Sequence, residues 1–342
     1  MDNSSERCKI IVDSMGGDYA PQNAVVGAIE ASIQNPGFDL FLVGKEKEIS
    51  RVIAERNLSF DNSRIINAEE IIEMGDSPTE AIKKKPNSSI VVGARYVREK
   101  KAHAFVSAGN TGAMMAASTL IMGRIPNVGR PTIGAEIPNT HGTCFLFDVG
   151  AGKDAKPNHL FEYAVMGTIY ARDLGSVANP QVGILSMGEE ESKGNEITTA
   201  AFKLLKQSKL NFIGNVEGRD ILTGKVDVVV CDGFIGNILL KFGESVPKLL
   251  KHLLKKTAEK NLIDKIKIGL FKGTLKRALK DLDYQEHGGV PLLGVNGISI
   301  IGHGASTPKA IKNMVFRAYD MYKKNLNQKI EESLTEYSNI TA

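Results

Sequence analysis

FVSAGNTGAMMAASTLIMGRIPNVGR, from Phe105 to Arg130, is the stretch whose reading decides the architecture. Ala102 to Val106 is a short apolar run suited to a buried strand, and Ser107 to Gly112 is a turn of small residues. Ala113 to Met122 resumes with helix formers at helical spacing. A strand that ends in a tight turn and re-enters as a helix aims the turn's polar groups and the helix's free N–H groups at one point. The helix dipole favours negative charge there. Ser107, Asn110, Thr111 and Gly112 are therefore candidate phosphate-binding residues. Arg124 and Arg130, just beyond the helix, are candidates to fold back and supply the two-pronged contact that phosphate accepts. Two plainer readings compete. The stretch from Ala104 to Gly123 has no formal charge, as a membrane span would, but its polar turn interrupts the run in the middle. A helix cap serving packing alone is the other.

Outward from this unit, strands and helices alternate. Strands are expected at Lys9–Val12, Asp39–Val43, Arg64–Ile66, Thr132–Glu136, Thr143–Asp148, Gln181–Leu185, Val226–Cys231 and Ile298–Ile301. Helices are expected at Asn23–Ile33, Lys45–Arg56, Ser88–Glu99, Pro157–Asp173, Gly194–Gln207 and Pro308–Tyr337. The alternation points to an α/β fold, three layers in αβα order around a large, mainly parallel sheet. Residues 1–342 read as a single α/β domain. In that architecture ligands sit beyond the carboxyl ends of the strands.

The chain has 342 residues, 42% of them hydrophobic, which is enough for a large core and a soluble globular protein. MDNSSERCKIIVDS carries no extended apolar segment before Asp13, so a cytoplasmic location is expected. Cys8, Cys144 and Cys231 are odd in number and far apart, which fits reduced thiols. The six histidines are scattered, so neither a metal nor another cofactor is expected.

Several familiar signatures are missing. The segment Gly218–Lys225 is followed by Val226 where a Walker loop needs Ser or Thr, and no G-x-G-x-x-G follows a strand. GILSMG, from Gly183 to Gly188, holds Ser186 one place too late for a nucleophile elbow. What recurs instead is a set of polar turns: Asp13–Asp18, Ser107–Gly112, Asp148–Asn158, Ser186–Asn195, Asp232–Lys241 and Val295–Ser306. Each alone reads as a loop satisfying its own backbone. Six such turns at strand ends of one sheet suggest a common site.

MGGDYAP, SAGNTGA, GRIPNVGRP, the DVGA turn with Lys156, Pro157 and His159, KGNE, CDGFIGN with Lys241, GGVPLLGVNG and HGAS follow one another across Lys9 to Arg317. In order and spacing they resemble the bacterial acyl-ACP:phosphate acyltransferase family, PlsX. The resemblance implies reversible transfer of a fatty acyl group from acyl carrier protein to inorganic phosphate, giving acyl phosphate for phospholipid synthesis. It also implies a homodimer, and a fold similar to the isocitrate and isopropylmalate dehydrogenases and the phosphotransacetylases. Gly152 and Ala155 stand where members often carry Asn and Cys, and Gly302 precedes His303 where Cys is frequent. A cysteine nucleophile at those places is thereby excluded.

Phosphate is already an anionic nucleophile near neutral pH, so such a reaction needs positioning and charge rather than a triad. His303 or Lys241 would hold or protonate the leaving sulfur, and Asn237 or Asn296 would donate to the oxyanion. Asp13, Gly16, Gly17, Asp18, Asp148 and Lys156 are further site candidates, the two N-terminal carboxylates being equally readable as structural caps. A metal and NAD-dependent decarboxylating dehydrogenase of related fold is the rival, with Glu189, Glu190 and Glu191 as the dense acidic group it would require.

Lys248 to Lys280 holds 11 Lys and Arg against Glu259 and Asp264, within a chain whose net charge is +4. Leucines and isoleucines recur there at helical spacing, so residues 246–284 read as an amphipathic, basic helical excursion. Its expected partners are the acidic carrier protein, an anionic membrane carrying a glycerol-3-phosphate acyltransferase, or the dimer mate. This basic run also supports a different class for the whole chain, a non-catalytic membrane or nucleic-acid binding module, but a pure binder would have little use for six polar turns at strand ends.

Overall fold

A computed structural model describes residues 6–278, 286 and 288–341. Eleven described strands form one continuous sheet in the order β3-β2-β1-β4-β11-β10-β5-β6-β9-β7-β8. In chain order they are β1 Cys8–Asp13, β2 Phe38–Gly44, β3 Ile65–Asn67, β4 Ala104–Ser107, β5 Thr132–Asn139, β6 Gly142–Phe147, β7 Val182–Leu185, β8 Phe212–Val216, β9 Val228–Val230, β10 Val290–Leu293 and β11 Ile298–Ile301. The innermost runs, such as Val228, Val229 and Val230, are buried on both sides, as strands covered by helices must be.

Helices cover both faces. On one face α3 (Pro78–Lys84), α4 (Ser89–Arg98), α5 (Thr111–Ala117), α8 (Gly218–Thr223) and α9 (Gly233–Ala258) pack with Ile11, Phe105, Ile133, Leu146 and Val229. On the other, α1 (Gln22–Gln34), α2 (Glu46–Glu55), α6 (Pro157–Asp173), α7 (Glu196–Lys206), α11 (Pro308–Lys323) and α12 (Leu326–Thr341) pack with Ile10, Val12, Phe147 and Ile300. α10 (Leu262–Ala278) follows α9 as a helical hairpin. The expected three-layer α/β architecture is thus present.

The sheet is mainly parallel within each half, but it reverses at its centre. β1, β2, β3, β4 and β11 run together, and β6, β7, β8 and β9 run together. Between them β10 is antiparallel to both neighbours, and β5 pairs antiparallel with β6. The halves therefore point in opposite directions. The expectation that all six polar turns share one end of the sheet is corrected accordingly: Asp13–Asp18, Ser107–Gly112 and His303–Ser306 lie at one end, and Asp148–Asn158, Ser186–Asn195, Asp232–Lys241 and Val295–Gly297 at the other.

The expected closing helix is two helices, because Asn325 takes a left-handed backbone (φ +52°) between α11 and α12. Strands β8 and β10 and helices α3 and α8 were not expected from the sequence. The charge-free run Ala104–Gly123 is strand, turn and helix, and no helix among the described residues is long and apolar enough to cross a membrane. Of the basic excursion, residues 279–284 lie outside the described residues; the rest is α9 and α10, with Leu249, Leu250, Leu253, Ile263, Ile266 and Leu270 exposed.

Candidate active site

At the first end, β1 stops at Asp13, a fully buried carboxylate. Its Oδ2 accepts from the Ser107 hydroxyl at 2.7 Å and its Oδ1 from the backbone N–H of Met15 at 3.0 Å. Burial pushes its pKa up, and these donors oppose that. The next loop approaches closely: a Cβ at Gly16 would sit 2.6 Å from the Gly109 nitrogen, and Gly17, at φ +108°, precedes Asp18, whose N–H donates to the Gly304 carbonyl at 2.8 Å. Three strand-end loops thus meet around Asp13, Ser107 and His303.

Asn110 is fully committed in this cluster. Its Oδ1 caps α5 by accepting from Ala113 N–H at 3.0 Å, and its Nδ2 donates to the carbonyls of Glu73, Met74 and Asp76 at 3.0, 3.2 and 3.1 Å. Ser107 is likewise occupied, giving its proton to Asp13 and accepting from Gly109 N–H. Exposed Thr111 and the amide of Gly112 remain for a ligand. His303 is exposed, its Nδ1 accepting from Ala305 N–H at 3.0 Å.

Arg124 and Arg130 do not fold back to this turn. From Thr111 the helix continues through a π-helical stretch to Met122, roughly 17 Å at about 1.5 Å of rise per residue. It delivers both arginines to the opposite end.

There β6 runs into Asp148, also fully buried. Its Oδ1 accepts from the N–H groups of Ile133, Gly150 and Ala151 at 3.1, 3.1 and 2.9 Å, and its Oδ2 from Gly152 at 2.8 Å. Burial raises its pKa against the pull of these four donors. The turn so formed carries Arg130: the guanidinium lies against Gly152, where a Cβ would stand 2.6 Å from Cζ, and its Nη1 donates to the Asp154 carbonyl at 2.7 Å. α9 starts alongside, capped by Asp232, whose Oδ1 accepts from Phe234 and Ile235 N–H at 3.0 Å each. One turn in, Asn237 lies 3.7 Å from where a Gly150 Cβ would be, and Lys241 is exposed a further turn on.

α6 begins beside this turn. Lys156 N–H donates to His159 Nδ1 at 3.1 Å, so the neutral imidazole carries its proton on Nε2. Burial lowers the His159 pKa, and Arg130, Lys156 and Arg124 lower it further, which puts four cationic or potentially cationic groups about the first turn of one helix. Arg124 also donates to the Gly129 carbonyl. Asn296 Nδ2 donates to the Arg124 carbonyl at 2.9 Å, fixing that loop. Glu162 accepts from Gly129 N–H at 2.9 Å, and its carboxyl pKa is raised by burial. The Tyr163 hydroxyl, buried on the next turn of α6, has no hydrogen-bond partner among the described residues.

The sequence-expected site residues therefore fall into two groups. Arg124, Arg130, Asp148, Lys156, Asn237, Asn296 and Lys241 belong to the second end, and Asp13, Gly16, Gly17, Asp18, Ser107, Asn110, Thr111, Gly112 and His303 to the first. His303 is not beside the arginines. His159 was visible only as a letter of a motif; its place three residues after Lys156 at a Pro-started helix was the available signal. The triple glutamate does not converge, since Glu189 pairs with Lys225 and Glu191 with Lys206, each at 2.8 Å. Burial pushes all three cysteine thiols up, Cys8 to about 12, so none is a thiolate near neutral pH.

Comparison with known proteins gives the family. Residues 8–329 match the model of a family described as fatty acid synthesis protein. A phosphate acyltransferase of Halothermothrix orenii is 44% identical over 330 residues, covering 96% of this chain and 99% of the relative. One of Chlorobaculum parvum is 46% identical over 336 residues, covering 95% and 98%. In fold, a phosphotransacetylase from Streptococcus pyogenes superposes with a TM-score of 0.61 at 16% identity, covering 95% of this chain and 94% of that one. An α/β sheet with polar loops at both ends, matched along nearly its whole length by such relatives, belongs to the fatty acid synthesis protein family and is an acyltransferase.

Proposed function

We propose that the chain transfers a fatty acyl group reversibly from an acyl carrier protein thioester to inorganic phosphate, forming acyl phosphate for phospholipid synthesis, with phosphate held at the Arg130 end. The observation that carries this reading is the meeting of Arg124, Arg130, Lys156 and His159 around the first turn of α6. Charge decides between the two ends. Beside exposed Asp18, phosphate would meet like charge, and two unit charges 4 Å apart near a protein surface interact by about 4 kcal/mol. Beside the arginines the same term is favourable, and the guanidinium forks suit its oxygens.

A phosphate oxygen attacks the thioester carbon, a C–O bond forms, the C–S bond breaks, and the thiolate leaves. A thiol pKa of about 8.5 makes that departure easy. His159 Nε2–H donates to phosphate, and the Asn237 amide, with Lys241 a turn further, donates to the oxyanion or the departing sulfur. Asn296 keeps Arg124 in place rather than touching substrate. Ser107 and Asn110 hold the opposite end together.

Titrating phosphate on purified variants tests the assignment. Losing one charge-assisted contact costs about 1.5–3 kcal/mol, so Arg130→Ala should raise the KM for phosphate roughly 10- to 100-fold. Thr111→Val should leave it unchanged. The reverse pattern would return phosphate to the Ser107 turn.

The α9–α10 hairpin supplies the contact with the acidic carrier and with an anionic membrane at the inner face of the cell, where the next acyltransferase resides, and α9 packs on its mate in a homodimer. Exposed Phe242, Leu249, Leu253, Ile263 and Leu270 beside lysine-rich surface support this. Reversing Lys251, Lys255, Lys256 and Lys260 to Glu should abolish salt-sensitive liposome binding or raise the KM for acyl carrier protein; a folded variant changed in neither would refute it.

A further inference from the structure

The helix joining the two ends has an outward face that the reaction above does not use. Thr111 and Leu120 are exposed, Leu120 at 62%, and Met115, Ala116, Thr119 and Gly123 are half-buried, ending at exposed Arg124. Spaced by four or so residues, they form one stripe along the helix. Ala113, Met114, Ala117, Ser118 and Met122 face inward, with Ser118 hydrogen-bonded to Ser299 at 3.0 Å. From Thr111 to Gly123 no residue is charged.

That is unlike its neighbours. The outward faces of α2 and α4 carry Arg51, Glu55, Arg95 and Arg98, as a solvated helix face does. The stripe instead offers a methionine, a leucine, small residues and the hydroxyls of Thr111 and Thr119, which make no hydrogen bond among the described residues. It fits an extended, uncharged ligand that has both apolar stretches and amides. One end of the stripe reaches the cationic cluster, and the other opens at the Ser107–His303 loops, roughly 17 Å away.

We infer that this stripe is the track for the pantetheine arm of the acyl donor, entered from the Ser107 end so that the thioester meets phosphate at Arg130. The inference rests on the reading of the Arg130 end as the reaction site. The arm is uncharged between its phosphodiester and its sulfur, and its two amides match the two threonine hydroxyls. A second copy of the chain lying on the stripe is the competing occupant.

The test compares three donors on Thr111→Lys and Met115→Glu, at the end of the stripe far from Arg124: acyl carrier protein, acyl-CoA, and an acyl N-acetylcysteamine thioester, which keeps only the piece next to the sulfur. Both positions point outward, so the fold should persist, as thermal melting will report. The expected result is a KM about tenfold higher for the two long donors, with the KM for phosphate and the rate with the short donor unchanged. Unchanged KM for the long donors, or an equal loss with the short one, overturns the track. So does a change of oligomeric state by light scattering, which would give the face to a second copy. Arg130→Ala separates the two claims, because an unmoved phosphate KM there defeats the phosphate assignment whatever the donors show.

Discussion

Asp13 and Asp148 each end a strand as a buried carboxylate, yet they build different ends. Asp13 ties loops to one another: it holds Ser107 of a neighbouring strand, and Gly17 and Gly304 meet above it. Asp148 ties a turn to itself, gathering four backbone N–H groups from Ile133 to Gly152. The first end spends its polar groups on its own structure. The second, with its backbone satisfied by one carboxylate, leaves arginine, lysine and histidine side chains for a ligand. A polar turn at a strand end is thus a weak sign of function until the destination of each donor is known.

The largest effect expected from this contrast is on stability. Asp148→Ala strands four N–H groups, at about 1–3 kcal/mol for each that stays buried, so a loss of more than about 3 kcal/mol is expected in denaturant unfolding. Asp13→Ala should cost less, because two of its donors, Ser107 and Ser89, are hydroxyls that can turn to another acceptor, and only the Met15 and Gly16 N–H groups are fixed. Equal losses would mean that the two carboxylates do the same work. The next effect is local to the basic end. Gly152→Leu puts an apolar side chain where the Arg130 guanidinium lies, so the phosphate KM should rise about tenfold while the melting temperature stays nearly constant, since only a flexible side chain has to move. A constant phosphate KM would detach Arg130 from the site.

The smallest effect is a pH dependence. The His159 pKa is lowered, so the unfolded chain takes up this proton first as pH falls. Its contribution to stability is present above about pH 6.5 and is lost below it, by less than about 1 kcal/mol at this partly exposed site. Once protonated, the ring adds a positive charge beside phosphate. Phosphate binding should therefore tighten below pH 6.5 relative to His159→Gln, and identical profiles would remove His159 from the cluster.

Much of this was legible in the sequence. The strand-turn-helix at Phe105–Met122 and the alternation around it gave the layers correctly. The reversal was also readable: Asn139 and Gly142 leave only Thr140 and His141 between two strands, and parallel neighbours need a connection of a dozen or more residues. The short Gly294–Gly297 link between β10 and β11 carries the same message. What could not be read is where side chains from distant segments meet. Asn110 looks like a ligand-binding amide until Glu73, Met74 and Asp76, more than thirty residues away, take its hydrogens. Arg130 looks like a reach-back arm until the length of the helix before it is counted.

The halves of the sheet are joined at β10 and β5 by a ladder in which only Leu292 and Ile133, and Leu293 and Thr132, stand opposite each other, whereas β1 and β2 match over six positions. No other pair of neighbouring strands among the described residues matches over so few positions. Flexure about this ladder would turn one half of the sheet against the other without breaking the ladders within either half, and slow amide exchange should fade first at Leu293.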